Sequence, residues 1–157
     1  MPTTDKSGPL FERVCIVGIG LIGSSLARAL RARKLAASIA VCDTADAVRS
    51  EALALGIADT VHDDLGAAAG EADLVIVATP VGASAAVIDR LADIVRPGTP
   101  VMDVGSVKGS VVAAAETHPQ LHFVPAHPVA RTEQSGPAAG FAELFENRWC
   151  ILTPLAR

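Results

Sequence analysis

Short runs of β-branched and other apolar residues alternate along the chain with longer stretches rich in alanine and leucine. Parallel strands buried on both faces by crossover helices produce this pattern, because each strand is apolar throughout while each helix offers the sheet one stripe. The apolar runs predict strands over 13–18, 38–43, Thr60–His62, 74–78, 100–104, 121–125 and 149–153. The stretches between them predict helices over 21–35, 45–55, 81–95 and 107–116, with Asp43 or Thr44 available to cap the second. Residues 126–147 differ, since Pro128, Gly136, Pro137 and Gly140 lie among polar residues, as in a loop with one short helix near Phe141. With no repeat or linker in sight, residues 1–157 read as a single α/β domain with a mostly parallel sheet.

Composition narrows the function classes. Half of the 157 residues are apolar, enough for a sizeable core, and the net charge of −4 is spread without a basic stripe, so no nucleic-acid partner is expected. Aromatic residues make up 3% of the chain, too few for base-stacking platforms. Cys15, Cys42 and Cys150 are odd in number and widely separated, and His62, His118 and His122 lack ligand spacing, so neither a disulfide framework nor a metal site is expected. Residues 1–10 hold no apolar leader and no run reaches the length of a membrane span; the expectation is a soluble cytoplasmic protein.

The most informative segment follows the first strand. Val14-Cys15-Ile16-Val17 runs into Gly18-Ile19-Gly20-Leu21-Ile22-Gly23 and then into the helical stretch that begins Ser24-Ser25-Leu26. In a strand, glycine turn and helix of this spacing, Gly18 permits the tight turn, Gly20 admits a pyrophosphate to the backbone, and Gly23 lets helix and strand pack closely. The phosphates then face the N–H groups and positive dipole of the helix start, around Ile19, Leu21 and Ile22. Asp43 stands 20 residues beyond Gly23 at the end of the next strand, where a carboxylate accepts hydrogen bonds from a ribose. It would repel the extra phosphate of NADP, and no Arg or Lys occurs in Thr44-Ala45-Asp46, so NAD is the expected cofactor. The fold expected from these features is a doubly wound sheet of the Rossmann type.

In such a sheet the site lies beyond the carboxyl ends of the strands. Three segments fall there: Ala78-Thr79-Pro80, with Thr79 and Pro80 as cofactor contacts; Asp103-Val104-Gly105-Ser106-Val107-Lys108; and Ala126-His127-Pro128. A neutral imidazole suits proton abstraction because its ordinary pKa, about 6.5, is near the working pH, which makes His127 the candidate base. Ser106 could bond a substrate or cap the helix expected at Val107, and Lys108 reads as a solvated first-turn residue.

In its glycine turn, in the segment from Asp103 to Lys108 and in the loop His127-Pro128-Val129-Ala130-Arg131-Thr132-Glu133-Gln134-Ser135-Gly136-Pro137, the sequence resembles the prephenate and arogenate dehydrogenases. The resemblance implies NAD-dependent oxidation of a ring hydroxyl, with loss of a carboxylate as carbon dioxide and aromatisation, in tyrosine biosynthesis. It implies His127 as base, Ser106 as a substrate ligand that helps orient it, and Glu133 near the substrate; no metal is called for. It also implies a helical second domain that closes the substrate pocket and forms a dimer, so this chain by itself is expected to be weakly active or inactive. A hydroxy-acid dehydrogenase or reductase with another substrate, and a non-catalytic NAD-binding module, remain alternatives.

One position departs from the family loop, where Arg131 replaces a glycine. If that position needs positive φ, the arginine costs roughly 1–2 kcal/mol; if not, its guanidinium reaches solvent or replaces a missing cation. The expectation is that Arg131→Gly spares NAD binding and improves catalysis where a substrate domain is present.

Overall fold

The computed structural model describes residues 8–155, so the reading of residues 1–10 falls largely outside the described residues. In chain order the elements are β1 (Phe11–Val17), α1 (Leu21–Ala32), β2 (Ala36–Cys42), α2 (Asp46–Ala54), β3 (Thr60–His62), α3 (Leu65–Ala69), β4 (Leu74–Val77) and α4 (Val81–Ile94). There follow β5 (Pro100–Asp103), α5 (Gly109–Glu116), β6 (His122–Val124), β7 (Ala126–Pro128), two 3-10 turns (Pro137–Ala139 and Ala142–Phe145) and β8 (Cys150–Leu152).

The six strands β3-β2-β1-β4-β5-β6 form one sheet in that order, with every pairing parallel. The chain winds outward from β1 in one direction and from β4 in the other, which is the doubly wound Rossmann arrangement and opens a crevice where the order reverses. Alternation along β1 explains the two-sided core. Val14 and Ile16 pack with Ile39, Val41, Ala27 of α1 and Ala52 of α2, whereas Cys15 and Val17 pack with Val75, Val77, Ile88 and Leu91 of α4 and Val111 of α5. Burial of both faces is why these strands lack polar alternation.

The structure departs from the sequence reading at several elements. The expected strand 121–125 breaks at Pro125, and the stretch expected to start a loop forms β7 instead. β7 pairs antiparallel with β8, so the last strand leaves the main sheet for a two-stranded ladder. Helix α3 was not anticipated; Asp64 caps it by accepting from the Ala67 N–H at 2.7 Å, a signal legible in retrospect. The cap of α2 is Ala45, not Asp43 or Thr44, and α5 starts at Gly109 with Lys108 at its cap, so Ser106 does not cap it. Among the described residues no helix is long and apolar enough to cross a membrane.

Candidate functional site

The glycine turn joins β1 to α1 at the reversal point. Gly18 has φ +87°, and a Cβ there would lie 2.7 Å from the Ala78 carbonyl oxygen, so both conformation and space demand glycine. A Cβ on Gly23 would lie 2.2 Å from the Gly18 oxygen, a backbone atom that cannot swing aside. Gly20 is different: it is exposed, and a Cβ there would meet nothing within 4 Å. Nothing internal requires glycine at that position, as expected where backbone is kept bare for a ligand. α1 has no side-chain cap, so its first N–H groups are left for an anion. These features fit a dinucleotide pyrophosphate.

At the end of β2, Asp43 accepts from the Ile19 N–H at 3.2 Å through one oxygen and from the Ala45 N–H at 3.0 Å through the other. One carboxylate thus fixes the glycine turn against the start of α2 and remains partly exposed. Arg49, which sequence reasoning overlooked, folds back from α2 to donate to the carbonyls of Asp43 at 2.8 Å and Thr44 at 3.0 Å and to the Asp46 carboxylate at 3.1 Å. Its donors hold the loop rather than offering a phosphate site. Beside Asp43, burial and then the neighbouring carboxylate push the Cys42 thiol up.

The second half of the site hangs on Asp103, which is 1% exposed at the end of β5. Its Oδ1 accepts from the Ala126 N–H at 3.1 Å, and its Oδ2 accepts from the Gly105 N–H at 3.1 Å and from the Lys108 ammonium. Lys108 is therefore ion-paired and largely buried rather than solvated. This hub ties the Ser106 turn to Ala126, the residue before His127. The loop beyond is pinned to α1, with Phe141 N–H donating to Ser25 Oγ at 3.1 Å and Arg28 to the Pro137 carbonyl at 3.3 Å.

Between these two halves opens a cleft of about 580 Å³, lined among others by Leu21, Ile22, Ser106, His127, Arg131 and Arg148. Ser106 and His127 share its walls, with no hydrogen bond between them. Thr79 Oγ1 bonds Ser84 Oγ at 2.9 Å, and Pro80 caps α4, so both lie at the crevice rim by the end of β4. Glu133 is exposed and lies outside the cleft wall. Arg131 carries no strain, because Lys34 and Asn147 are the non-glycine residues with positive φ among those described.

Comparison with known proteins identifies the lineage. Residues 26–157 match the family model described as prephenate dehydrogenase, nucleotide-binding domain. That match starts after the glycine turn, whose geometry is an independent observation. The chain is 42% identical over 146 residues to the cyclohexadienyl dehydrogenase of Zymomonas mobilis, covering 92% of this chain and 50% of that protein. It is 36% identical to the prephenate dehydrogenase of Bacillus subtilis, covering 91% and 39%. The crystal structure of Aquifex aeolicus prephenate dehydrogenase with hydroxyphenyl propionate and NAD+ superposes with a TM-score of 0.84 at 33% identity, covering 92% of this chain and 51% of that one. The chain therefore spans about half the length, or less, of these relatives.

Proposed function

The chain belongs to the prephenate dehydrogenase family, as its nucleotide-binding domain, and from that premise we propose that it is the cofactor half of an enzyme that oxidatively decarboxylates prephenate or arogenate in the cytoplasm. Its cofactor is NAD, consistent with the Asp43 carboxylate at the ribose position and with the NAD+ held by the Aquifex relative. Gly18, Ile19, Gly20, Leu21, Ile22 and Gly23 hold the pyrophosphate, Asp43 the ribose, and Thr79 and Pro80 the crevice rim.

NAD, when bound, supplies hydride acceptance. His127 takes the proton of the ring hydroxyl, Ser106 bonds that hydroxyl, and Glu133, from the histidine loop, approaches the substrate. The ring loses its carboxylate as carbon dioxide and becomes aromatic, which drives the step without a metal. The observation that carries this reading is the shared cleft: Ser106 and His127 face the same space as Leu21 and Ile22 of the glycine-turn helix. The family's second domain would exclude water, close the substrate pocket and form a dimer. Such orientation can account for several kcal/mol of a barrier, roughly 7–11 in favourable cases.

The test begins with the 157-residue chain. Calorimetry should show NADH binding and weaker NADPH binding, while prephenate-dependent NADH production stays far below ordinary turnover of about 1–10³ s⁻¹. Equal affinity for NADPH would remove Asp43 from its role, and robust turnover would show that the pocket is complete without a further domain. Appending the remaining half of the Zymomonas relative should confer activity with prephenate or arogenate and none with small hydroxy acids. In that fusion His127→Asn should cut turnover by roughly 10² or more with NAD affinity retained.

A further inference from the structure

The cleft that holds Ser106 and His127 is cationic in a chain whose net charge is −4. Arg131 and Arg148 both line it together with His127, and no carboxylate residue does. Neither side chain makes an ion pair or hydrogen bond among the described residues, whereas Arg31, Arg33, Arg49 and Arg96 all do. The backbone explains how they meet. The pairing Pro128↔Cys150 continues through the bond from the Val129 N–H to the Trp149 carbonyl at 2.8 Å, so one arginine leaves each strand at the same end of the β7–β8 ladder.

We propose that Arg131 and Arg148 form a carboxylate-binding pair in the substrate cleft, making Arg131 a specificity-determining residue of this chain. The proposal rests on the reading of the cleft as the substrate site. Guanidinium groups stay charged at every working pH and match the fork of a carboxylate, and two of them lining one cleft favour one anionic group. The ordinary backbone at Arg131 removes the strain argument for glycine, so Arg131→Gly should impair carboxylate binding rather than improve catalysis. The pyrophosphate of the cofactor is the other anion within reach of such a cleft, and it is distinguished by experiment.

The NAD-saturated 157-residue chain is titrated by calorimetry with 3-(4-hydroxyphenyl)propionate, with its neutral amide, and with succinate. Arg131→Ala and Arg148→Ala, both at exposed positions, should each weaken the aromatic carboxylate roughly tenfold or more, leave the amide unchanged, and leave the NADH dissociation constant within about twofold. Arg131→Lys should recover part of the loss. Equal weakening of acid and amide, failure of both the aromatic acid and succinate to bind the unaltered chain, or a fall in NADH affinity in place of carboxylate affinity would each overturn the proposal, the last assigning the pair to the pyrophosphate. Arginine-dependent binding of succinate without binding of the aromatic acid would keep the carboxylate pair and overturn the aromatic substrate reading.

Discussion

Replacing Asp103 by asparagine removes one charge and changes almost no volume, so its effect reads the hub directly. The carboxylate is 1% exposed and accepts from Ala126, Gly105 and Lys108. An asparagine oxygen can keep the Ala126 N–H, but its NH₂ then faces a backbone N–H and an ammonium, both donors. A buried donor left unsatisfied costs about 1–3 kcal/mol, and removing one partner of a buried ion pair about 3–5. Lys108 is 17% exposed and can partly turn to water, which trims the second figure. A loss of roughly 3–4 kcal/mol follows, equivalent to a fall in Tm of roughly 6–15 °C for a domain of this size. Urea unfolding by circular dichroism should show a midpoint lower by about 1–2 M with an unchanged slope. Lys108→Met should cost less in the Asp103→Asn background than in the unaltered chain, because the pair is already broken. A Tm within about 2 °C of the unaltered chain, or additive losses in the double variant, would refute the hub.

The glycines of the turn should separate stability from binding. Gly23→Ala, with its Cβ 2.2 Å from a backbone oxygen, should lower Tm and abolish NADH binding, whereas Gly20→Ala, with open space around its Cβ, should leave the melt within a few degrees and still weaken NADH; equal melts for the two would contradict the geometry. Thiol reagents at neutral pH should modify Cys150, which is exposed, quickly, and Cys15 and Cys42 only on unfolding, since burial pushes Cys15 up to about 12 and raises Cys42 as well. Rapid reaction of two or more thiols in the folded chain would speak against that burial. Asp59 is pulled below its ordinary value of 3.8: burial works upward, but the Ile39 N–H at 2.7 Å and Arg31 at 2.9 Å outweigh it. Its contribution is present above that ordinary value and is lost as pH falls through the lower folded one, so the stability gap between the unaltered chain and Asp59→Asn should narrow from pH 7 to pH 3, and a gap that widens would reverse the sign.

The alternation of apolar runs and Ala/Leu-rich stretches was sufficient to specify the six parallel strands and four of the helices, because two-sided burial leaves a local signature at every strand. The glycine turn and Asp43 were equally legible, since positive φ, close packing and a carboxylate at a strand end are demands on single residues at fixed spacing. What depends on partners distant along the chain was not. The fate of the last strand turned on Pro125 breaking β6 and on β7 offering it an edge, Lys108 looked solvated until Asp103 was folded beneath it, and Arg49 drew no notice until α2 brought it back onto the Asp43 carbonyl. Arg131 shows the division most sharply. The sequence by itself determined only that an arginine occupies this loop; the tertiary structure decided that its backbone is relaxed and that its charge shares a cleft with Arg148 and His127, because convergence of side chains from separate segments is a property of packing, not of spacing.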